Sequence, residues 1–261
     1  MKPTRVIRPA VITFYSYKGG VGRTLLAANL AVALARKGKT LLWDLDVEAP
    51  GLHHITALRN ASPVRAGFFD WLIEWQKNKL RPPGKGDFKL FDGLLYETAL
   101  ENLTILPAHG DDADAAALYF DIQWNHLLGN DPTVGRDLLN ELIDHLGELG
   151  YRHVLLDSRT GLTDLGALIS GAIPDATVLV GGYGGQNLHG LGNVHKALLS
   201  RTEAQRSLRG DKGDLRLFPV ASPIPQDNPA LLAAGRDTWA KAFQMELAAI
   251  HEIRYDPELP F

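Results

Sequence analysis

The densest chemistry in this 261-residue chain lies in Phe14–Thr24, FYSYKGGVGRT. Gly19, Gly20 and Gly22 let the backbone approach a ligand with no Cβ atoms in the way. The segment follows a short apolar run and opens an Ala/Leu-rich one. A Gly-rich turn between a strand and a helix aims backbone N–H groups, backed by the helix dipole, at phosphate oxygens. Thr24 is placed to offer a hydroxyl to Mg²⁺. The pattern G-x-x-x-x-G-K-[ST] is not met, because its first Gly falls at Tyr17 and its Lys at Arg23. A second group is Asp44 and Asp46 in LLWDLDVEAPGL, residues 41–52. Two carboxylates two residues apart share one face of a strand end. That arrangement suits the surroundings of a magnesium ion; the plainer reading is a polar exit from a buried strand.

The elements that must position these groups are legible as an alternation. Apolar runs that predict strands are Ala10–Tyr15, Thr40–Trp43, Leu103–Leu106, His153–Leu156, Thr177–Val180 and Leu215–Val220. Several are apolar on both faces, as strands buried between two helical layers are. Helices are predicted over Thr24–Lys37, Val64–Asn78 (interrupted by Gly67), Asp112–Leu128, Arg136–Leu149, Asn187–Arg201 and Pro229–Ile250. Gly38 is a good stop for the first of them. The segments Lys79–Asp87 and Arg209–Asp214 read as loops. Strand–helix alternation predicts an α/β fold of three layers, a mostly parallel, twisted sheet with helices on both faces. The tail Tyr255–Phe261 reads as extended, and one reading is a natural chain that continues past Phe261.

Composition narrows the class. The chain is 45% hydrophobic and 22% charged, with a net charge of −3 and no cysteine. Global disorder, disulfides, Cys-ligated zinc and Cys-bound iron–sulfur clusters are excluded. The charge balance argues against a broad, charge-driven nucleic-acid binder. The apolar run after Pro9 is too short for a signal segment, and no run approaches a membrane helix. The expected protein is soluble and cytoplasmic, without a membrane partner.

The phosphate-loop segment resembles the deviant Walker A loop, K-G-G-x-G-K-T, of the ParA/MinD family of P-loop ATPases. Lys18 stands at that family's signature lysine and Arg23 replaces its second lysine, a K-G-G-V-G-R branch. The resemblance implies a P-loop NTPase fold that binds ATP and Mg²⁺. It implies that the backbone of Gly19, Gly20, Val21, Gly22, Arg23, Thr24 and Leu25 holds the phosphates. It places Asp46 at the catalytic aspartate that orients the attacking water, and Asp44 on the Mg²⁺ side or as a holder of the loop. The YRHVLLD run, residues 151–157, resembles Walker B, so Asp157 would hold Mg²⁺, usually through water. Ser158–Asp164 resembles switch II, in which Gly161 can bring a backbone N–H to the γ-phosphate. Arg159 has two readings, a phosphate contact from either subunit or a structural ion pair, and the second is favoured. Gln186 would open a helix bordering a dimer face, and the nucleotide base would lie against Ala221–Gln226, around Pro223. Lys18 implies a nucleotide-sandwich homodimer formed on ATP binding, with Lys18, Asp46 and Arg23 as the catalytic group and Thr24, Asp157 and Asp44 on the metal side. The resemblance spans roughly residues 10–255 of what reads as a single domain, 1–261, with an enlarged segment at about 53–150 in which residues 65–78 and 111–130 read as a cap or a partner surface.

Other features carry plainer readings. The pair His53-His54 reads as solvated or packed. Asp111, Asp112 and Asp114 read as a helix cap. Arg201, Arg206, Arg209, Lys212 and Arg216 read as a solvated helix end, with non-specific DNA binding less favoured. Trp71 and Trp75, four apart on one helix face, read as packed in the core or against a partner. The function expected is Mg-dependent ATP binding with slow hydrolysis, driving a dimer switch that regulates an unidentified protein partner or effector. Slow turnover is expected because Arg is longer and planar where Lys is a compact point charge. The alternatives are a nucleotide-sensing module with little hydrolysis, and a P-loop ligase or synthetase.

Overall fold

The computed structural model describes residues 7–55, 58, 63–77, 83–129, 131–161, 163–200, 203–210, 212–224 and 228–254. Eight strands run in chain order: β1 (Ala10–Ser16), β2 (Thr40–Leu45), β3 (Tyr96–Glu97), β4 (Leu103–Leu106), β5 (His153–Ser158), β6 (Ala176–Gly181), β7 (Arg216–Ile224) and β8 (His251–Arg254). They form one sheet in the order β3-β4-β2-β5-β1-β6-β7-β8. Every pairing is parallel except that of β3 with β4. The helices are α1 (Arg23–Ala35), α2 (Phe68–Lys77), α3 (Lys85–Asp92), α4 (Ala115–Asp121), α5 (Trp124–Leu128), α6 (Thr133–Glu148), α7 (Asp164–Ala167), α8 (Gly185–Ser200), α9 (Glu203–Arg209) and α10 (Pro229–Phe243). No helix among the described residues is long and apolar enough to cross a membrane.

Alternation along the central strands divides the interior. Leu42 and Leu155 pack with Phe14 and Val178 against α1, whose inner face is Ala27, Ala28, Ala31 and Ala35. Leu41, Trp43, Val154 and Leu156 point to the opposite face and meet α2 and α6. Tyr15 and Leu179 extend that face to α8 and α10. Helices therefore cover both faces, and all six residues of β2 are buried. Parallel pairing brings the C-terminal ends of β1, β2 and β5 to one edge of the sheet, where ligands of such folds bind. The register sets Asp157 beside Phe14 on one side and Asp44 on the other.

The expected elements shift in four places, each for a local reason. Helix α2 begins at Phe68 and not at Val64, because residues 64–67 run extended beside 107–111. Phe68 N donates to Pro107 O at 2.8 Å, and Asp111 N donates to Val64 O at 2.8 Å. A Cβ on Gly67 would lie 2.4 Å from Pro107 O, so only glycine permits this approach. The helix expected over Asp112–Leu128 is two, α4 and α5. The buried Gln76 side chain takes both backbone groups of Gln123, at 3.1 and 3.2 Å, and Ile122 turns extended into the core. The helix expected to reach Ile250 stops at Phe243, with Gln244 at φ 52°, and the chain then adds β8 to the sheet edge. Part of the loop expected at Lys79–Asp87 is the start of α3, which carries Phe91 into the core against Trp43 and Trp71; residues 79–82 lie outside the described residues. Trp71 and Trp75 are buried and stacked at 6.2 Å, so they belong to the core. Asp114 caps α4, accepting from Ala116 N and Ala117 N. The tail Tyr255–Phe261 lies outside the described residues.

Gly67→Ala should lower the unfolding free energy by about 2 kcal/mol or more, read from the urea midpoint, because its Cβ meets backbone that cannot yield. Gly86→Ala is the control. Its Cβ meets nothing within 4 Å, and the exchange in α3 should be neutral or stabilising by up to about 1 kcal/mol.

Candidate functional site

β1 delivers Ser16 to the sheet edge, and residues 17–22 turn the chain back into α1. Gly22 precedes that helix at φ 75°, a left-handed conformation that a side chain would strain. The first backbone bond of the helix runs from Leu26 N to Gly22 O at 2.9 Å. The N–H groups of Gly19 through Leu25 find no acceptor among the described residues. They face a cavity of about 410 Å³. Its lining includes Gly19, Gly20, Val21, Gly22, Arg23, Thr24, Leu25 and Asp46. A row of unpaired N–H groups at a helix start is a site for phosphate. Ser16, Ala49, Gly51, Ile55 and Thr160 also line it. Spacing did not single these out, although Ser16 ends the first strand and Thr160 follows the third carboxylate by three positions.

Beneath the loop lie three buried carboxylates and one guanidinium. Arg23 Nε donates to Asp157 Oδ1 at 2.6 Å, and its Nη2 lies 3.5 Å from Asp46 Oδ2. Thr24 Oγ1 donates to the other Asp157 oxygen at 2.6 Å. Asp44, fully buried, accepts from Asp46 N at 3.0 Å, Gly51 N at 3.0 Å and Leu52 N at 3.2 Å. Burial, then the Asp157 charge, pushes the Asp44 carboxyl up to about 7. Burial likewise raises Asp157, with Arg23 pulling the other way. Burial disfavours the Arg23 cation, but Asp157, joined by Asp46 and Asp44, more than compensates, and its pKa stands above the ordinary value. Buried charges of this kind persist only when paired and hydrogen-bonded.

The flanking segments are tied to this cluster. Asp46 Oδ1 accepts from Ala49 N at 3.2 Å, closing the turn after β2. Arg159 forms an ion pair with Glu48 at 2.7 Å, and its guanidinium lies 5.7 Å from the Tyr119 ring centre. One arginine thus joins the segments after β2 and β5 to α4. Gly161 N donates to Ser16 O at 3.2 Å, and Gly161 is not part of the cavity lining. Lys18 donates to the Gln186 side chain at the start of α8 and is not part of the cavity lining. Pro223 does not line the cavity either; its neighbour Ser222 places its hydroxyl 3.4 Å from where a Cβ on Gly22 would be.

Mg²⁺ takes hard oxygen ligands, and a site often supplies one or two of them and leaves the rest to phosphates and water. The Thr24 hydroxyl, on a residue that lines the cavity, and the buried Asp157 carboxylate, 2.6 Å from it, fit that demand. Among the described residues no group of three or more His, Asp or Glu side chains is arranged to hold a metal alone. His53 instead faces Asp111 at 3.6 Å. In the basic run, Arg209 donates to the carbonyls of Gly213, Gly171 and Pro174, and Lys212 to Ile173 O and the Asn140 side chain. Both cations are spent on the interior of the fold. Arg201 lies outside the described residues.

Comparison with known proteins places this geometry among relatives. The family described as the CobQ/CobB/MinD/ParA nucleotide binding domain matches residues 12–209. An ATP-binding protein of Methanocaldococcus jannaschii is 47% identical over 57 residues, 22% of each chain. The septum site-determining protein MinD of Escherichia coli is 28% identical over 171 residues, 65% of this chain. This chain spans about half, 51%, of the length of that MinD. Apo McdA of Cyanothece superposes with a TM-score of 0.67 at 16% identity, over 95% of this chain and 86% of that one. MinD of Pyrococcus horikoshii, solved with Mg-ADP, superposes at 0.51 with 22% identity, over 92% and 91%. At these identities the two superpositions are likenesses of fold.

Asp44→Asn should loosen the segment after β2. An amide has one acceptor oxygen where the carboxylate offers two to three N–H donors, and a hydrogen bond to a charged group contributes about 1.5–3 kcal/mol. Amide exchange at Gly51 and Leu52 should accelerate by about tenfold or more, while exchange in β6 stays unchanged. Equal protection at Gly51 and Leu52 in both proteins would show that Asp44 does not hold the loop.

Proposed function

Because the chain belongs to the CobQ/CobB/MinD/ParA nucleotide-binding domain family, we propose that it binds ATP with Mg²⁺ on the Gly19–Leu25 loop, hydrolyses it slowly, and uses the cycle as a dimer switch that regulates a protein partner. We treat residues 1–261 as a single domain of this kind, enlarged at about 53–150. The observation that carries the reading is the run of seven acceptor-free N–H groups, Gly19 to Leu25, above the Thr24–Asp157 pair and beside Asp46. Phosphates satisfy the N–H groups. Thr24 and Asp157 would hold the metal ion, which would supply positive charge to offset that of the phosphates. Asp46, 7% exposed and lining the cavity, orients the attacking water. Attack is in line: the water oxygen bonds to the γ-phosphorus as the bond to the β–γ bridging oxygen breaks.

Three contacts support a switch. The Gly161 N–H rests on Ser16 O and must leave it to reach a γ-phosphate. The Lys18 ammonium points to Gln186 and away from its own loop, which suits action across a two-fold interface. Arg159–Glu48 makes the segments after β2 and β5 move together. Slow turnover is supported by Arg23, whose charge is drawn toward the same Asp46 that orients the water.

The test is size-exclusion chromatography with light scattering, run without nucleotide, with ADP, and with a slowly hydrolysed ATP analogue plus Mg²⁺. A dimer formed only with the analogue is expected. A nucleotide-bound monomer in every state overturns the switch and leaves a sensing module, and absence of bound nucleotide overturns the site. Lys18→Ala should lose dimer and hydrolysis together while still binding nucleotide as a monomer; retained turnover would exclude action across the interface. Arg23→Lys should raise turnover by about tenfold at similar nucleotide affinity, since a compact ammonium follows the charge developing on the phosphate more closely. Unchanged turnover in a steady-state phosphate-release assay would remove Arg23 as the brake.

A further inference from the structure

The groups proposed to hold the metal are already committed to one another. Asp157 Oδ1 accepts from Arg23 Nε and Asp157 Oδ2 from Thr24 Oγ1, each at 2.6 Å. The same guanidinium reaches toward Asp46 at 3.5 Å and Ser16 Oγ at 3.5 Å. Asp157 is 1% exposed and Arg23 7%, so solvent does little to screen the pair. A divalent cation arriving alone meets a fixed positive charge at the carboxylate it needs. No set of three acidic or imidazole ligands stands ready among the described residues. A nucleotide changes the balance. Its phosphates would sit on the N–H groups of Gly19–Leu25, a run that includes Arg23 itself. The guanidinium then has a second anion within reach of its own rotamers, with a donor fork suited to phosphate.

We infer that Arg23 is the resting counter-ion of the metal site: nucleotide phosphates draw it off Asp157, and only then is the Asp157–Thr24 pair open to Mg²⁺. Metal entry is thus conditional on the nucleotide, and the site discriminates Mg²⁺-nucleotide from Mg²⁺ alone. This rests on the nucleotide reading above and adds an order of binding to it. By linkage, whatever factor the nucleotide adds to metal affinity the metal adds to nucleotide affinity. The arginine's fork makes the device work in a way a lysine would not. Nε can hold Asp157 while Nη2 faces Asp46, so one side chain offsets two carboxylates on neighbouring segments.

The experiment uses Mn²⁺ as a paramagnetic substitute, with free ion read by electron paramagnetic resonance, on the full chain with and without ADP. ADP binding is established first by titration calorimetry. Without nucleotide, the unsubstituted protein should take up no Mn²⁺ below about 1 mM, because its binding-competent state is scarcely populated. With ADP it should take up Mn²⁺ more tightly than free ADP does. Arg23→Gln should bind Mn²⁺ without nucleotide at least about tenfold more tightly than the unsubstituted protein, as the competing cation is gone. Its melting temperature should fall, since buried carboxylates lose their partner, and Mn²⁺ should restore it. Equal nucleotide-free Mn²⁺ affinity in the two proteins, or tight uptake by the unsubstituted one, overturns the inference. If Arg23→Gln does not fold, Arg23→Lys takes its place. It keeps the charge but lacks Nε, and should shift Mn²⁺ affinity the same way by at least about threefold; no shift overturns the inference. Failure to bind ADP overturns the site reading and this inference with it. ADP binding with a Mn²⁺ affinity indifferent to Arg23 overturns this inference alone.

Discussion

One guanidinium among three carboxylates governs the C-terminal edge of this sheet. Asp44 and Asp157 face one another across β2 and β5, and Asp46 follows two residues on. Left alone, three buried negative charges would open the sheet edge or take up protons. Arg23 offsets Asp157 at 2.6 Å and reaches toward Asp46, while backbone N–H groups answer Asp44. The cost of desolvating the cluster is met only while each member keeps its partner. Any ligand that recruits one member obliges the others to find new partners. The chemistry of the site and its response to ligands are therefore one problem.

The parallel sheet makes this possible. It stacks strand ends at a common edge, so residues far apart in the chain arrive together. Arg23 and Asp157 are 134 positions apart, yet Asp157 lies in β5 and Arg23 opens α1 after the turn that leaves β1, the strand paired with β5. The long stretch between β2 and β5 adds a second layer of control. It places Tyr119 against Arg159, and Arg159 holds Glu48. Helix α4 buries no residue of its own and exposes Phe120 at 84%. The helix is thus held to the site on one side and open to solvent on the other.

Much of this was legible before the structure. Each of the three motifs lies at the end of an apolar run, where chemistry-bearing residues stand out against Val, Leu and Ile. Five of the six runs expected as strands lie wholly in strands, the sixth does so from Arg216, and helices cover both faces. What was not legible depends on pairing across the chain. Spacing puts Arg23 at the phosphate loop but says nothing of Asp157 pulling it inward. It offers Asp44 to the metal or to the loop, and both of its oxygens are occupied by N–H groups of that loop. Two strands also escaped: β3 has only two residues, and β8, HEIR, has a single apolar residue to mark it. The break between α4 and α5 depends on a glutamine 47 positions away. Arg209 and Lys212, neighbours in a run that looks like a surface patch, turn inward to the carbonyls of residues 171, 173 and 174, a partnership across the chain that no local pattern signals.

Helix α1 meets the sheet through alanines alone at its buried positions beyond Arg23: Ala27, Ala28, Ala31 and Ala35. Separation between a helix and what it packs on follows the bulk of the side chains at the contact. Methyl groups keep that separation near its minimum, so the alanine row acts as a gauge. It fixes how far the loop's N–H groups stand from the acidic strand ends below them. A bulkier residue at Ala31, on the far turns of the helix, would lift the loop without touching it. The tightness of the grip on an anion is in this sense written into residues that never meet one.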